Sequence, residues 1–212
     1  MKELTYLLLI VIAYFVYMNF VRKTLYLESV KSDKGLSYLV RNLKDKQEAA
    51  NRLGDLSDTL QTLCDSCKGG GSKGEGSKGE GSKGKGDKDE DSYDREDAIK
   101  RLLDKFEPAK LTENIPGSSH VAYSVNKGSE LSICLRKKDT DAFIDTNTVR
   151  FVAIHELAHV MSDSTGHTDE FWDNMKFLLE KAISAGLYVA TDYKERPVDY
   201  CGIQITSTPL EL

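Results

Sequence analysis

The chain has 212 residues, of which 30% are charged, and its formal net charge at neutral pH is −5. Residues 93–212 carry 14 Lys and Arg against 20 Asp and Glu, so this part is acidic and has no basic stripe. Proteins that grip nucleic-acid phosphates normally present such a stripe. The composition therefore gives no strong nucleic-acid signal.

The N-terminal segment is apolar. Residues 4–21 contain no charged side chain and are closed by Arg22 and Lys23. Eighteen such residues would span about 27 Å as a helix, the short end of a membrane span. A cleaved signal peptide would require a small-residue cleavage site after the apolar stretch, and none follows. The sequence thus predicts a single-pass membrane anchor within residues 1–23, with its topology left open.

Residues 24–67 are predicted to form an amphipathic helical stalk. Leucines and alanines recur every three or four residues over positions 36–63, with charged side chains between them. This spacing is typical of a helix with one apolar face. The face would pack on the membrane or on the catalytic domain, or support weak self-association as a short coiled coil.

Residues 68–92 are predicted to be a low-complexity linker. The sequence Gly-Ser-Lys-Gly-Glu occurs at residues 71–75 and again at 76–80, and no apolar side chain occurs from Lys68 to Glu90. Without apolar burial, nothing offsets the entropy cost of ordering this stretch. We expect a tether between the stalk and a folded domain.

Residues 93–212 have the composition of one small α+β domain. We expect the helix that carries the metal ligands and the helix that follows it to pack on a small antiparallel sheet. The hairpin is predicted from two alternating segments joined by Asn126-Lys127-Gly128. The predicted helices are 96–106, 146–161 and 168–185, the hairpin strands are 121–125 and 131–136, and the tail is loop and short strand.

The strongest functional signal is His155-Glu156-Leu157-Ala158-His159, inside an apolar run. Residues at i and i+4 lie on the same face of a helix, so the two imidazoles can bind one metal ion. The intervening Glu156 can act as a general base towards a metal-activated water. This combination predicts a zinc-dependent hydrolase.

A hydrolytic zinc site usually has three protein ligands and leaves one position for water. Residues 162–166 carry a turn signal, after which His167 precedes a new helix whose N-cap is Thr168. His167 is the predicted third ligand. If the metal-binding helix continued past Met161, Asp163 would lie near the same face and could be the third ligand instead. Glu180 is a weaker alternative.

Other residues were weighed as candidates. Tyr200 is the chosen donor to the tetrahedral oxyanion, with Tyr193 as its alternative. His120 is expected to be structural, and Phe171 and Trp172 to belong to the core. Cys64-Asp65-Ser66-Cys67 could be inert, a disulfide or a weak metal site, whereas Cys134 and Cys201 are isolated.

The motif resembles the zincin metallopeptidases of the WLM and SprT-like groups, which pair a His-Glu-x-x-His helix with a later His and an aromatic residue. Here the later segment is Gly166-His167-Thr168-Asp169-Glu170-Phe171-Trp172. Within these groups the chain resembles small membrane-anchored versions encoded by large DNA viruses of eukaryotes, to which the tail 199–203 is also similar. This resemblance implies that the anchor lies in a virion or a host membrane. The resemblance implies that His155, His159 and His167 bind Zn²⁺ and that Glu156 is the catalytic base.

These observations together predict a membrane-anchored zinc metallopeptidase that hydrolyses a protein or peptide substrate. One alternative is a catalytically idle metalloprotease-like structural protein of a virion or membrane, although only catalysis requires Glu156. Another alternative is a DNA–protein-crosslink protease, which the resemblance suggests and the acidic charge opposes.

Overall fold

The computed structural model describes residues 2–68, 95–116, 122–125 and 130–211. Within the first helix, the side chains of residues 2, 3, 19, 20 and 22–24 are not described. The helices are α1 (Lys2–Tyr26), α2 (Lys46–Lys68), α3 (Arg95–Lys105), α4 (Thr146–Met161) and α5 (Asp169–Ser184), and a 3-10 turn covers Pro108–Lys110. The strands are β1 (Leu27–Lys31), β2 (Ser37–Arg41), β3 (Leu111–Glu113), β4 (Ala122–Val125), β5 (Glu130–Ile133), β6 (Val198–Tyr200) and β7 (Ile203–Ile205).

Five strands form one mixed sheet in the order β1-β2-β3-β5-β4. The outer pairs, β1 with β2 and β4 with β5, are antiparallel, while β3 pairs parallel with both β2 and β5. The predicted α+β class is confirmed, but the prediction of a purely antiparallel sheet is wrong. Both parallel pairs involve β3, a strand that was not predicted. It pairs with β5 on one side and, on the other, with β2 of the β1–β2 hairpin, which was not predicted either.

The helix predicted over residues 36–63 differs from the observed elements. Residues 37–41 form β2, with Tyr38 and Val40 buried and Leu39 exposed, as expected for a strand with one face on the core. The helix α2 begins only at Lys46, and eleven of its residues are buried. Its apolar face packs against β2, β3, α3 and α5, so it contacts the rest of the fold, one of the uses foreseen for it.

A buried ion pair ties the first part of the chain to the second. The Arg136 Nε donates to Glu113 Oε1 at 2.7 Å, and both side chains are almost fully buried. Arg136 Nη1 also donates to Asp45 Oδ2 at 2.7 Å, just before α2, and the Arg41 backbone N–H donates to the other Glu113 oxygen at 2.7 Å. Removing one partner of such a pair leaves an uncompensated buried charge, so the group fixes β2 and α2 against β3.

The predicted membrane anchor is not supported. Helix α1 has exposed large apolar side chains between Leu4 and Met18. Among the described residues, however, no helix combines the length and the apolar character that crossing a membrane requires. The localisation prediction, a single-pass anchor at residues 4–21, is therefore wrong.

The predicted linker lies, apart from Lys68, outside the described residues, and so do His120 and the turn 126–128. The division of the chain at residue 93 stays a prediction.

Candidate metal centre

Helix α4 is buried over most of its surface, and few of its side chains are partly exposed. Between Thr148 and Met161 every residue is buried except Arg150, His155 and His159. The helix starts where the Asp145 carboxylate accepts a hydrogen bond from the Thr148 backbone N–H at 3.0 Å, a regular N-cap. The bounds match the predicted 146–161. His155 and His159 lie one turn apart and line the same cleft, whereas Arg150 lies on another side of the helix and lines a different pocket.

The loop between α4 and α5 is held by polar contacts that the motif analysis missed. The Glu170 carboxylate accepts hydrogen bonds from the backbone N–H groups of Asp163 and Ser164 at 2.8 and 3.0 Å. Arg101 of α3 pairs with Glu170 at 3.2 Å and donates to the Met161 carbonyl at 3.1 Å. Gly166 has φ +86°, a conformation that glycine adopts readily and that turns the chain back just before His167. No local sequence signal identifies Arg101, because it lies 60 residues before Met161.

The structure brings His155, His159 and His167 together. One ring nitrogen from each lies within 4.8 Å of the others, and the Nε2 atoms of His155 and His167 are 3.1 Å apart. Nitrogen ligands of a tetrahedral zinc ion, each bound at about 2.05 Å, lie about 3.3 Å from one another. The His155–His167 distance is close to this value, and the upper limit of 4.8 Å for the three pairs exceeds it by about 1.5 Å, which small side-chain rotations can close.

The competing ligands do not join this group. In the described part of the chain, the cluster able to bind a metal consists of the three histidines and includes neither Asp163 nor Glu180. Both acids are exposed, Asp163 in the loop and Glu180 on α5.

Two aromatic residues form the support of the triad. Phe171 is fully buried, and its ring centroid lies 4.3 to 4.8 Å from the three imidazole centroids. The Trp172 indole stacks on His167 at 5.6 Å between centroids and is 39% exposed. The expectation that both belong to the core thus holds for Phe171 alone.

Burial shapes the protonation of the site. Burial, reinforced by the neighbouring His159 and His167, lowers the pKa of His155 to about 3, so its imidazole is neutral at physiological pH and can act as a ligand. Burial also raises the pKa of Glu156 to about 7. A carboxyl group that titrates near neutral pH is suited to general-base catalysis.

The triad opens into a cleft of about 570 Å³. Glu156 lines this cleft beside the histidines, and Tyr200 lines it as well, with its side chain fully buried. Burial raises the pKa of the Tyr200 phenol, which keeps it protonated and able to donate. Tyr193 instead packs on Phe151, 4.6 Å between ring centroids, and is not among the residues lining the cleft.

The β6–β7 hairpin carries Tyr200. A disulfide from Cys201 in its turn to Cys134, directly after β5, links it to the five-stranded sheet, and the two Cα atoms are 6.3 Å apart. The two cysteines are 67 residues apart, so no local sequence pattern indicates that they pair. The prediction that each is isolated is wrong. Cys64 and Cys67 are free thiols buried on α2, and burial raises the pKa of Cys64 to about 12. A protonated, buried thiol is a poor metal ligand or nucleophile.

Comparisons with known proteins agree with the motif. A family model described as the WLM domain matches residues 103–196. An uncharacterised protein of Acanthamoeba polyphaga mimivirus is 32% identical over 177 residues, which are 83% of this chain and 81% of that protein. The chain belongs to the WLM-like zincin family. The predicted resemblance, including that to viral members, is confirmed.

Three further relatives share shorter segments. An uncharacterised protein of Invertebrate iridescent virus 6 is 40% identical over 38% of this chain and 44% of its own length. The DNA-dependent metalloprotease WSS1 homolog 2 of Schizosaccharomyces pombe is 29% identical over 51% of this chain but only 35% of its own length. The crystal structure of Wss1 from Saccharomyces cerevisiae aligns with a TM-score of 0.32 and 22% identity, over 36% of this chain and 62% of that one, which is too weak to carry an argument.

Proposed function

We propose that this WLM-like protein is a zinc metallopeptidase that hydrolyses peptide bonds in a protein substrate. The observation that carries the proposal is the position of Glu156, which lines the same open cleft as the three imidazoles. Three imidazole nitrogen donors with an adjacent carboxylate are the donor set of a hydrolytic zinc site. A purely structural zinc site is usually closed by a fourth protein ligand, whereas this cluster is open to the cleft.

His155, His159 and His167 would hold the ion. Bound Zn²⁺ would supply the positive charge that lowers the pKa of a water molecule in the cleft and polarises the scissile carbonyl. The Glu156 carboxylate accepts the proton of the attacking water and then delivers it to the leaving amine nitrogen. The Tyr200 hydroxyl donates to the oxygen that becomes negatively charged in the tetrahedral intermediate. Phe171 and the surrounding apolar residues exclude bulk water from the buried side of the site.

Glu156→Gln tests the proposal. The glutamine amide is nearly isosteric with the carboxylate but cannot accept the proton. The variant should therefore bind one zinc per chain, as the wild type does, but should no longer cleave casein that carries a self-quenching fluorescent label. Glu180→Gln is a matched control, because Glu180 is an exposed acid outside the cluster. Equal turnover by wild type and Glu156→Gln would refute the role of Glu156, and a wild type without zinc at neutral pH would refute the metal site.

A DNA–protein-crosslink protease is a second candidate, because the fission yeast relative is named a DNA-dependent metalloprotease. The net charge of −5 weighs against it, since phosphate binding requires Lys and Arg. Adding single-stranded oligonucleotide to the casein assay separates the two candidates. Strong stimulation at low salt would favour the DNA-dependent enzyme, and an unchanged rate would favour the DNA-independent peptidase.

A further inference from the structure

One wall of the cleft is built from consecutive residues. Ile203, Gln204, Ile205, Thr206 and Ser207 all line it. Successive side chains of a strand point to opposite faces, so side chains alone would place only every second residue in the cleft. Five in succession indicate that the edge of the strand itself, with its backbone N–H and C=O groups, runs along the cleft.

The hairpin geometry shows which backbone groups point outward. Tyr200 pairs with Ile203 across a two-residue turn, in which Cys201 and Gly202 have φ values of +54° and +87°. Such a turn, with both φ values positive, places the flanking residues in a hydrogen-bonded pair. The next pair, Asp199 with Gln204, is then a non-hydrogen-bonded pair, so the Gln204 N–H and C=O point away from β6.

This outer edge of β7 is open. Within the described residues, the sheet that contains β7 has two strands, and β7 pairs only with β6. Ile203, Gln204 and Thr206 are exposed. An unpaired strand edge is a template for pairing with another extended chain.

The side chains of the cleft limit what can lie in it. Among the described residues that line it, Glu156 is the single acid, and none is Lys or Arg. Apolar side chains surround the triad: Phe151, Val152, Trp172, Met175, Ile203 and Ile205. Burying a charged side chain there without a partner would be costly, whereas apolar side chains gain free energy from burial.

We propose that the substrate is an extended, apolar peptide segment that adds to β7 as a third strand, with the backbone of Gln204 as its central hydrogen-bonding partner. The proposal rests on the proposed peptidase function and names its substrate class. Pairing along β7 brings an extended chain past Tyr200 and Glu156, which line the same cleft. The disulfide from Cys201 to Cys134 holds the turn of the hairpin, so the edge is formed before the substrate binds.

The test compares Gln204→Pro with Gln204→Ala. Proline removes the N–H, but at a non-hydrogen-bonded position it takes no bond from the β6–β7 pair, and it is tolerated on edge strands. Alanine keeps the N–H and removes only the side chain. The probes are acetyl-Leu-Leu-Leu-hydroxamate and acetohydroxamate, titrated by calorimetry into the zinc-loaded full chain in the Glu156→Gln background, where no catalysis is needed.

We expect Gln204→Pro to weaken the peptide hydroxamate about tenfold relative to Gln204→Ala, as loss of one backbone hydrogen bond implies. Acetohydroxamate, which reaches only the metal, should bind both variants equally. Replacing the central leucine of the peptide by lysine should weaken it by about tenfold or more.

Equal affinity of the tripeptide hydroxamate for the two variants would overturn the strand pairing, and equal affinity of the leucine and lysine peptides would overturn the apolar substrate class. Failure of acetohydroxamate to bind any variant would instead overturn the metal site and the proposed function with it.

Discussion

The Cys134–Cys201 disulfide should contribute a large share of the stability of the fold and of its active-site wall. The perturbation is the double variant Cys134→Ala/Cys201→Ala. The bond closes a loop of 67 residues. In the chain-entropy treatment, a cross-link over a loop of this length restricts the unfolded chain by about 4 kcal/mol at 25 °C. Cys201 has a positive φ in the native hairpin, and alanine has the same backbone preference, so the substitution adds no new strain there.

The assay is urea unfolding of the full zinc-loaded chain followed by tryptophan fluorescence, since Trp172 stacks on His167 and reports on the site. The double variant should unfold with a free energy about 4 kcal/mol lower than that of the wild type. Adding a phosphine reductant, which binds zinc far more weakly than a dithiol does, should lower the wild type to the level of the variant and leave the variant unchanged. Cys64→Ala/Cys67→Ala is the matched control, because both thiols are free, and it should keep the full sensitivity to reductant.

A loss below about 1 kcal/mol, which is less than the roughly 2–5 kcal/mol that removing a native disulfide typically costs, would refute the reasoning. An equal effect of reductant on wild type and double variant would do the same. Activity is measured separately. Because Tyr200 directly precedes Cys201, kcat/KM should be lower for the double variant than for the wild type in the absence of urea, where both are folded.

Three more outcomes are expected. His167→Ala should nearly abolish zinc binding in a chelator competition. Asp163→Ala should lower the zinc affinity by less than the roughly 10–100-fold that is typical of a residue next to a ligand. The opposite order would make Asp163 the ligand. Burial raises the pKa of Glu156 to about 7, and the carboxylate is the active form. The rate should therefore rise with pH, with its midpoint at or below pH 7 because a bound cation favours the carboxylate, and a rate that falls between pH 5 and 7 would contradict this. A protease site inserted within residues 69–94 allows the chain to be cut there. The two pieces should stay associated in gel filtration, because eleven residues of α2 are buried. Separate elution would favour an independent domain that begins at residue 93.

The sequence was sufficient where structure is determined locally. Helix α4 has its predicted bounds because a capping acid, an apolar run and a turn signal all lie within 22 residues, from Asp145 to Gly166. The position of His167 followed from the same turn and from the Thr168 cap, whose hydroxyl accepts from the Phe171 N–H at 3.4 Å. Short-range hydrogen bonds of this kind leave a sequence signature, so the triad could be predicted.

The sequence misled where structure depends on distant partners. Leu36, Leu39 and Leu43 fit a helical period, yet residues 37–41 form a strand. The strand forms because Leu39 lies beside Thr112, far along the chain, and because Arg41 donates to the buried Glu113. The leucine spacing does not contain that information. Positions three apart lie on opposite faces of a strand, and the buried face here is formed by Tyr38 and Val40, while Leu39 is exposed.

The active-site cleft combines both kinds of information. Its floor, with His155, Glu156 and His159, comes from one helix, and the chemistry is readable there because spacing on a helix fixes geometry. Its wall, with Tyr200 and Gln204, comes from a hairpin whose attachment depends on a disulfide spanning 67 residues. The residues that would carry out hydrolysis are thus predictable from sequence, whereas those that would select the substrate appear only in the fold. The matched WLM segment ends at residue 196, before this hairpin begins at Val198. The proposed substrate-binding edge therefore lies outside the segment that the WLM model matches, whereas the proposed metal ligands lie inside it.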